Sequence, residues 1–178
     1  MFSRKKRKSK VFGFTLVEVL AVAAIVSSIP MSSFQRAKDK ASETECKHNL
    51  RQIGQMLNGY YFENGFYPKA AFYPKDPNKG EDSIKTIIGG PKPFWVCPSL
   101  PAKMQEKGLT FIYNDAIAGK RSLDNPDKKW VLIETNCVNK NSPHPHPGGF
   151  NILFADGHVI SSKRLPSKIT KAYKKQGG

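Results

Sequence analysis

The feature that most constrains this chain is a short apolar segment near its N-terminus with a cluster of positive charge before it. Residues 14–29 comprise 16 amino acids with a single charged side chain, Glu18. Six Lys and Arg residues precede the segment, within residues 4–10. This pattern is typical of a helix that enters a membrane with its N-terminus held in the cytoplasm. The segment is shorter than the roughly 20 residues of a spanning helix, and Pro30 follows it directly.

Glu18 distinguishes this segment from an ordinary signal peptide or a plain anchor. A charged side chain inside a membrane helix costs about 2.5–3.5 kcal/mol on insertion scales, and it usually persists because it has a functional partner. An ordinary secretory signal also needs a small-x-small cleavage site after its apolar core, and residues 27–33 offer only weak candidates. A plain anchor would explain the basic flank but would leave the carboxylate without a role.

The stretch that runs from the basic cluster through Gly13 and Phe14 to Glu18 resembles the processing site of type IV prepilins and type II secretion pseudopilins. In that family the prepilin peptidase cleaves after the glycine and methylates the new N-terminal amine. The resemblance implies cleavage between Gly13 and Phe14 and N-methylation of Phe14. It also implies that Glu18 pairs with the terminal amine of a neighbouring subunit during assembly. A carboxylate at low dielectric is tolerated when a cation reaches it.

The same resemblance implies a location and a set of partners. The chain would be a single-pass protein of the inner (cytoplasmic) membrane, with a cytoplasmic N-terminus and an extracytoplasmic C-terminal domain. It would join other pilin or pseudopilin subunits in a type II secretion or type IV pilus-like filament. Pro30 comes earlier than the kinking proline of most pilins, which leaves open whether the helix is continuous through it.

An apolar stripe at helical spacing continues beyond Pro30. Four side chains recur at intervals of three and four residues, namely Cys46, Leu50, Ile53 and Leu57. This spacing predicts a helix with one buried face. Gly65, followed closely by Pro68, is the stop signal expected after such a helix. The surrounding string YYFENGFYP, residues 60–68, is similar to the helix exit of many pilins.

Beyond the helix the sequence predicts a long loop and then a small sheet. Two short β-rich runs begin at Leu109 and Trp130, and two more flank Asp156-Gly157, which is a strong hairpin signal. A two-residue type I′ turn is expected there, with both residues at positive φ. The predicted fold class is therefore α+β: a long pilin-type helix packed on an antiparallel sheet of about four strands.

The predicted organisation divides the chain into six segments. They are a basic leader (1–13), a membrane-inserted helix and assembly segment (14–33), an amphipathic continuation of the helix (34–62), a loop region (63–108), the antiparallel sheet (109–165) and a basic tail (166–178).

The C-terminal stretch HPGGFNILFADGHV contains His146, nine intervening residues and then Asp156-Gly157. It resembles the His-x9-Asp-Gly signature of a group of pilin-like proteins, and the stretches CKHNLRQIG and CPS, at Cys46 and Cys97, are similar to that group as well. We interpret Asp156 and Gly157 as the turn and His146 as a side chain that caps or packs against the hairpin base. A metal site at His146 and Asp156 is the weaker alternative.

No constellation typical of catalysis is present in the sequence. There is no HExxH, no paired CxxC and no Gly-rich phosphate loop. We therefore expect a protein that is not an enzyme and that uses neither a cofactor nor a metal.

The three cysteines allow at most one intramolecular disulfide. Cys46 lies on the predicted buried stripe. Cys97 lies in a loop with aromatic side chains, and we expect this loop to pack on the interior of the protein. We expect these two residues to approach each other, and a disulfide between them is left open.

Two other functions remain as alternatives. The net charge is +15, and +9 remains when the N-terminal cluster is set aside. This diffuse excess allows a DNA-binding minor pilin, although a solvated surface explains it better and nucleic acid is not the expected partner. A conventionally secreted metal-binding protein is the second alternative.

Overall fold

The structure is a computed structural model that describes residues 15–27, 31–138, 143–166 and 169. The predicted cleavage site at Gly13 and Phe14, the basic leader, Pro30 and nearly all of the basic tail lie outside these residues. The chain divides into two units, Met1–Arg36 and Ala37–Gly178.

Helix α1, Leu16–Ser27, belongs to the N-terminal unit. Its first turn is closed by a reciprocal pair of hydrogen bonds. Glu18 Oε2 accepts the backbone N–H of Thr15 at 2.8 Å, and the backbone N–H of Glu18 donates to Thr15 Oγ1 at 3.3 Å. This is the capping-box arrangement, in which a Thr at the cap and a Glu three residues later satisfy each other's N–H groups.

Among the residues that the structure describes, no single helix is both long enough and apolar enough to cross a membrane. Taken together, α1 and the helix that follows it, α2 (Met31–Asn64), meet that criterion of length and composition.

Helix α2, Met31–Asn64, is 34 residues long. The predicted stripe is its buried face: Cys46, Leu50, Ile53 and Leu57 are at most 2% exposed. The helix ends where the stop signal was predicted. Gly65 takes φ +74°, and its N–H donates to the carbonyl of Tyr61 at 2.8 Å. Glycine adopts this left-handed conformation without the steric penalty of a side chain.

Four strands form one antiparallel sheet in the order in which they occur along the chain. They are β1 (Phe111–Tyr113), β2 (Trp130–Glu134), β3 (Phe150–Phe154) and β4 (Val159–Ser162). The α+β class, the long helix and the four-stranded antiparallel sheet are thus confirmed.

The two faces of the sheet are both buried, but against different partners. Because side chains alternate along a strand, Phe111 and Tyr113 share one face and pack with the stripe of α2. Ile112 points to the other face, where it joins Ile133 and Ile152. That second face is covered by Phe72 and Tyr73 and by residues near the end of the described chain, Leu165 and Ile169.

The predicted loop region contains short helical turns. They are α3 (Ile84–Ile88), a 3-10 turn (Lys92–Trp95) and α4 (Ala102–Gln105). Trp95 is fully buried in the core formed by α2 and the sheet. Its carbonyl accepts the N–H of Thr110 at 2.9 Å, which ties this region to the sheet immediately before β1.

The predicted type I′ turn between β3 and β4 is wrong. The Gly157 N–H donates to the Phe154 carbonyl at 3.0 Å and the Phe154 N–H to the His158 carbonyl at 2.9 Å, so the loop has three residues, 155–157. Gly157 takes φ +91°, whereas Asp156 does not have a positive φ. A three-residue hairpin needs only its last residue in the left-handed region. Asp156 instead accepts the backbone N–H of His158 at 3.1 Å.

Gly157→Ala is expected to lower the free energy of unfolding by about 1–2 kcal/mol, because an L-residue pays roughly this amount in the left-handed region. A Cβ at this position would meet only the Asn58 side chain, at an ordinary contact distance of 3.7 Å, so the cost is conformational rather than steric. Urea denaturation of the full-length protein measures the change.

Gly59→Ala provides the matched control. Gly59 lies in α2, and nothing is within 4 Å of where its Cβ would be. The substitution should raise stability by up to about 1 kcal/mol, since Ala is the better helix former. Equal effects of the two substitutions would contradict the assignment of the turn.

Candidate functional site

Four polar or sulfur-containing side chains converge in the interior of the C-terminal unit: Cys46, Cys97, Glu134 and His146. One ligand-type atom from each lies within 4.8 Å of those of the other three. None of the four residues is more than 3% exposed. We call this group the four-residue cluster.

Each member of the four-residue cluster comes from a different segment. Cys46 is on the buried stripe of α2. Glu134 is the last residue of β2, and strand alternation places it on the same face as Leu132, which packs toward α2. Cys97 follows the 3-10 turn, and its N–H donates to Thr110 Oγ1 at 2.7 Å. His146 lies in the turn before β3.

The contacts within the four-residue cluster form a chain. Glu134 Oε1 is 3.2 Å from Cys46 Sγ and 3.2 Å from His146 Nε2. His146 Nε2 is in turn 3.4 Å from Cys97 Sγ. Two sulfurs, one imidazole nitrogen and one carboxylate oxygen therefore face a common point.

The outward-facing atoms of the two polar members are held by further hydrogen bonds. Glu134 Oε2 accepts the backbone N–H of Asn151 at 2.6 Å. His146 Nδ1 is 3.2 Å from Ser99 Oγ. With these atoms occupied, Glu134 Oε1 and His146 Nε2 remain directed at the two sulfurs.

The pKa values of the two thiols in the four-residue cluster are shifted in opposite directions. A hydrogen bond with Cys46 lowers the pKa of Cys97 to about 6, with a contribution from His146 and against the effect of burial. Burial raises the pKa of Cys46 well above its usual value, as do Cys97 and Glu134. Burial lowers the pKa of His146, but hydrogen bonds to Cys97 and Glu134 outweigh it and raise that pKa to about 9. The group thus favours a thiolate at Cys97 beside an imidazolium.

A second buried carboxylate, Glu43, lies three residues before Cys46 and links α2 to β4. Lys47 Nζ is 2.8 Å from Glu43 Oε1 and Lys40 Nζ is 3.2 Å from Oε2. Ser161 Oγ donates to Glu43 Oε1 at 2.9 Å. Burial alone would raise the pKa of Glu43, but the bonds from Lys47, Ser161 and Lys40 lower it to about 2.

The structure brings together some of the predicted site residues and separates others. Cys46 and Cys97 approach each other as expected, and both are free thiols. His146 and Asp156 do not share a site: His146 packs in the four-residue cluster, while Asp156 Oδ1 is 2.5 Å from Nδ1 of the partly exposed His158. The weaker alternative of a metal held by His146 and Asp156 is therefore not supported.

Glu134 is the member of the four-residue cluster that the sequence analysis missed. Its signal was present, because it is the one charged side chain in the strand WVLIE. A carboxylate at a strand position that alternation assigns to the core face is expected to have a buried partner.

Comparison of the chain with protein-family models, with curated proteins and with solved structures found no match.

The stabilising contribution of Glu43 is expected to depend on acid pH. A carboxylate with a lowered pKa in the folded state stabilises the protein above its unfolded pKa, and this contribution is lost as the pH falls through the folded value. Between about pH 5 and pH 2, wild type should lose up to about 3 kcal/mol more than Glu43→Gln, since one pKa unit corresponds to about 1.4 kcal/mol. Denaturant titrations of the full-length protein across this range measure the difference.

Glu45→Gln is the control, because Glu45 is exposed on the same helix. It should follow the wild-type pH dependence. Parallel curves for wild type and Glu43→Gln would show that the ion pairs of Glu43 contribute nothing to stability.

Proposed function

We propose that this protein is a pilin-like or pseudopilin subunit that assembles into a type II secretion or type IV pilus-like filament. Its N-terminal segment anchors it in the inner membrane, with the C-terminal unit on the extracytoplasmic side. The prepilin peptidase cuts between Gly13 and Phe14 and methylates Phe14. The role is mechanical and structural rather than catalytic.

The observation that carries this proposal is the exposure of the apolar side chains of α1. Seven of them are between 54% and 76% exposed, namely Leu16, Val17, Val19, Leu20, Val22, Ile25 and Val26. A helix that is apolar all round needs cover from lipid or from other helices. In a subunit that moves from a membrane into a helical filament, this helix is covered first by lipid and then by the helices of neighbouring subunits.

Glu18 fits this proposal because the groups that hydrogen-bond to it at the start of α1 are uncharged. Its capping partners are the N–H and Oγ1 of Thr15, at 2.8 and 2.9 Å. Both belong to a residue that remains after a cut at Gly13, so the cap persists in the mature chain. Neither partner carries a charge, which leaves the carboxylate free to attract the N-terminal amine of an incoming subunit.

The mature N-terminus tests the processing step. Protein isolated from its native membrane should begin at N-methylated Phe14, as shown by intact mass and N-terminal sequencing. Gly13→Ala should leave an uncut precursor that is retained in the membrane and absent from filaments. Cleavage after the apolar segment, near residues 27–37, would refute the proposal and favour a secreted protein.

Two substitutions of Glu18 separate its cap from its charge. Gln serves at this position of a capping box as Glu does, so Glu18→Gln keeps the helix start but removes the charge. Glu18→Val removes both. If the carboxylate pairs with an incoming amine, both variants should form at least about tenfold fewer filaments, because a buried charge left unpaired costs about 3–5 kcal/mol.

The measurement is the number of filaments per cell, at matched levels of membrane protein. Cleavage at Gly13 serves as the control, and it should be unchanged in both variants. Wild-type filament numbers for Glu18→Gln, with loss only for Glu18→Val, would show that Glu18 acts as a helix cap and not as an assembly charge.

A further inference from the structure

We propose that Cys46, Cys97, Glu134 and His146 bind a Zn²⁺ ion that ties four segments of the C-terminal unit together. This inference is independent of the proposed filament function, since it rests only on groups in the interior of that unit.

The spacing of the ligand atoms matches a tetrahedral zinc site. With zinc–sulfur bonds of about 2.3 Å and zinc–nitrogen or zinc–oxygen bonds of about 2.0–2.1 Å, ligand atoms in a tetrahedron are about 3.3–3.8 Å apart. The three contacts described above measure 3.2, 3.2 and 3.4 Å, and all four atoms are within 4.8 Å of one another. Three of the six distances are thus already close to the tetrahedral values, and the other three are at most 4.8 Å, so the shell closes around an ion with side-chain shifts of up to about an ångström.

The kinds of atom also select the metal. Two thiolates and an imidazole favour Zn²⁺ among the common divalent ions, whereas Mg²⁺ and Ca²⁺ prefer oxygen ligands. The four groups complete a tetrahedral shell, and their burial leaves no side open to solvent. A zinc site closed in this way is structural, because a catalytic site keeps one position for water or substrate.

The atoms that surround the site orient two of its ligands. Imidazoles that bind zinc usually donate their second N–H to a nearby oxygen, and Ser99 Oγ is in position to accept it from His146 Nδ1. The backbone N–H of Asn151 holds the second oxygen of Glu134. In the same region, Asn151 Nδ2 is a buried donor without an acceptor among the described residues.

A metal uses all four groups, whereas the competing disulfide uses two. A Cys46–Cys97 disulfide would leave His146 and Glu134 paired with each other at 3.2 Å, but neither group would retain a thiol or thiolate as a partner. Zinc binding displaces the thiol proton of Cys46 and the second imidazole proton of His146 to solvent. The carboxylate and both thiolates then share the charge of the cation.

The site connects segments that are far apart in sequence. CKHNLRQIG supplies Cys46, CPS supplies Cys97, and the segment that leads into β3 supplies His146. Glu134, at the end of β2, completes the set. The ion would therefore fasten the loop region and the turn before β3 to the junction of α2 and the sheet.

Full-length protein, purified in detergent without chelator and under reducing conditions, provides the test. Elemental analysis should find one zinc per chain. Replacement by Co²⁺ should give the visible bands of tetrahedral cobalt and a thiolate-to-cobalt charge-transfer band. Cys46→Ser and Cys97→Ser should lose the stoichiometric metal and alter these bands, whereas Cys137→Ser should retain both. Cys137 is the matched control, because it is also fully buried but stands outside the four-residue cluster.

His146→Gln and His158→Gln form a second matched pair, of which only the first should lose the metal. Circular dichroism of each variant records whether it has folded. If the ligand variants do not fold, wild type alone decides: a chelator should lower its melting temperature, and added Zn²⁺ should restore it.

Two results would overturn the proposal. The first is reduced, folded wild type that takes up neither zinc nor cobalt at one equivalent per chain. The second is a Cys46–Cys97 disulfide in the native protein, found by non-reducing peptide mapping, together with a melting temperature that a chelator does not change. Neither result bears on cleavage at Gly13 or on filament formation.

Discussion

The packing of the apolar stripe of α2 against one face of the sheet is the contact on which the C-terminal unit depends. Leu50, Ile53 and Leu57 are buried there together with side chains of β1, β2 and β3. Close approach is possible partly because Gly54 lies at the contact, where an added Cβ would come within 3.1 Å of Leu153. The loop region then completes the same core by adding Trp95 and Cys97.

Polar groups are built into one end of this apolar contact. Glu134 lies on the helix-facing side of β2, and Ser161 lies on β4, hydrogen-bonded to Asn151 at 2.6 Å and to Glu43 at 2.9 Å. Burying two carboxylates in such an interface is unfavourable unless each is paired. Glu43 meets this requirement with two lysines and a hydroxyl. Glu134 meets it with a backbone N–H, an imidazole and a thiol, which gives the four-residue cluster its capacity to bind a cation.

The N-terminal unit is governed by a different constraint. Helix α1 buries none of its described side chains, so its apolar surface is stable only in an apolar environment or against other helices. Its one carboxylate is engaged by Thr15 at the helix start, where negative charge also suits the helix dipole. Under the proposed function, such a helix would pass from a bilayer to a bundle of like helices without rearrangement of its own hydrogen bonds.

The sequence by itself determined the long helix and the four strands, because their signals are local, but not the short helical turns between residues 84 and 105. The three- and four-residue spacing from Cys46 to Leu57 predicted the buried face of α2, and Gly65 marked its end. The sequence also singled out Cys46, Cys97 and His146, each in a separate stretch.

The tertiary structure alone decided which of these residues meet. His146 joins the two thiols rather than Asp156, because the turn before β3 carries its imidazole to the helix-facing side of the sheet. Glu134 completes the group because antiparallel pairing brings the end of β2 beside Asn151 of β3. The loop that contains Asp156 and Gly157 has three residues because the pairing of β3 with β4 sets its length. Such placements follow from strand register and from the docking of a helix on a sheet, which depend on contacts between residues distant in sequence.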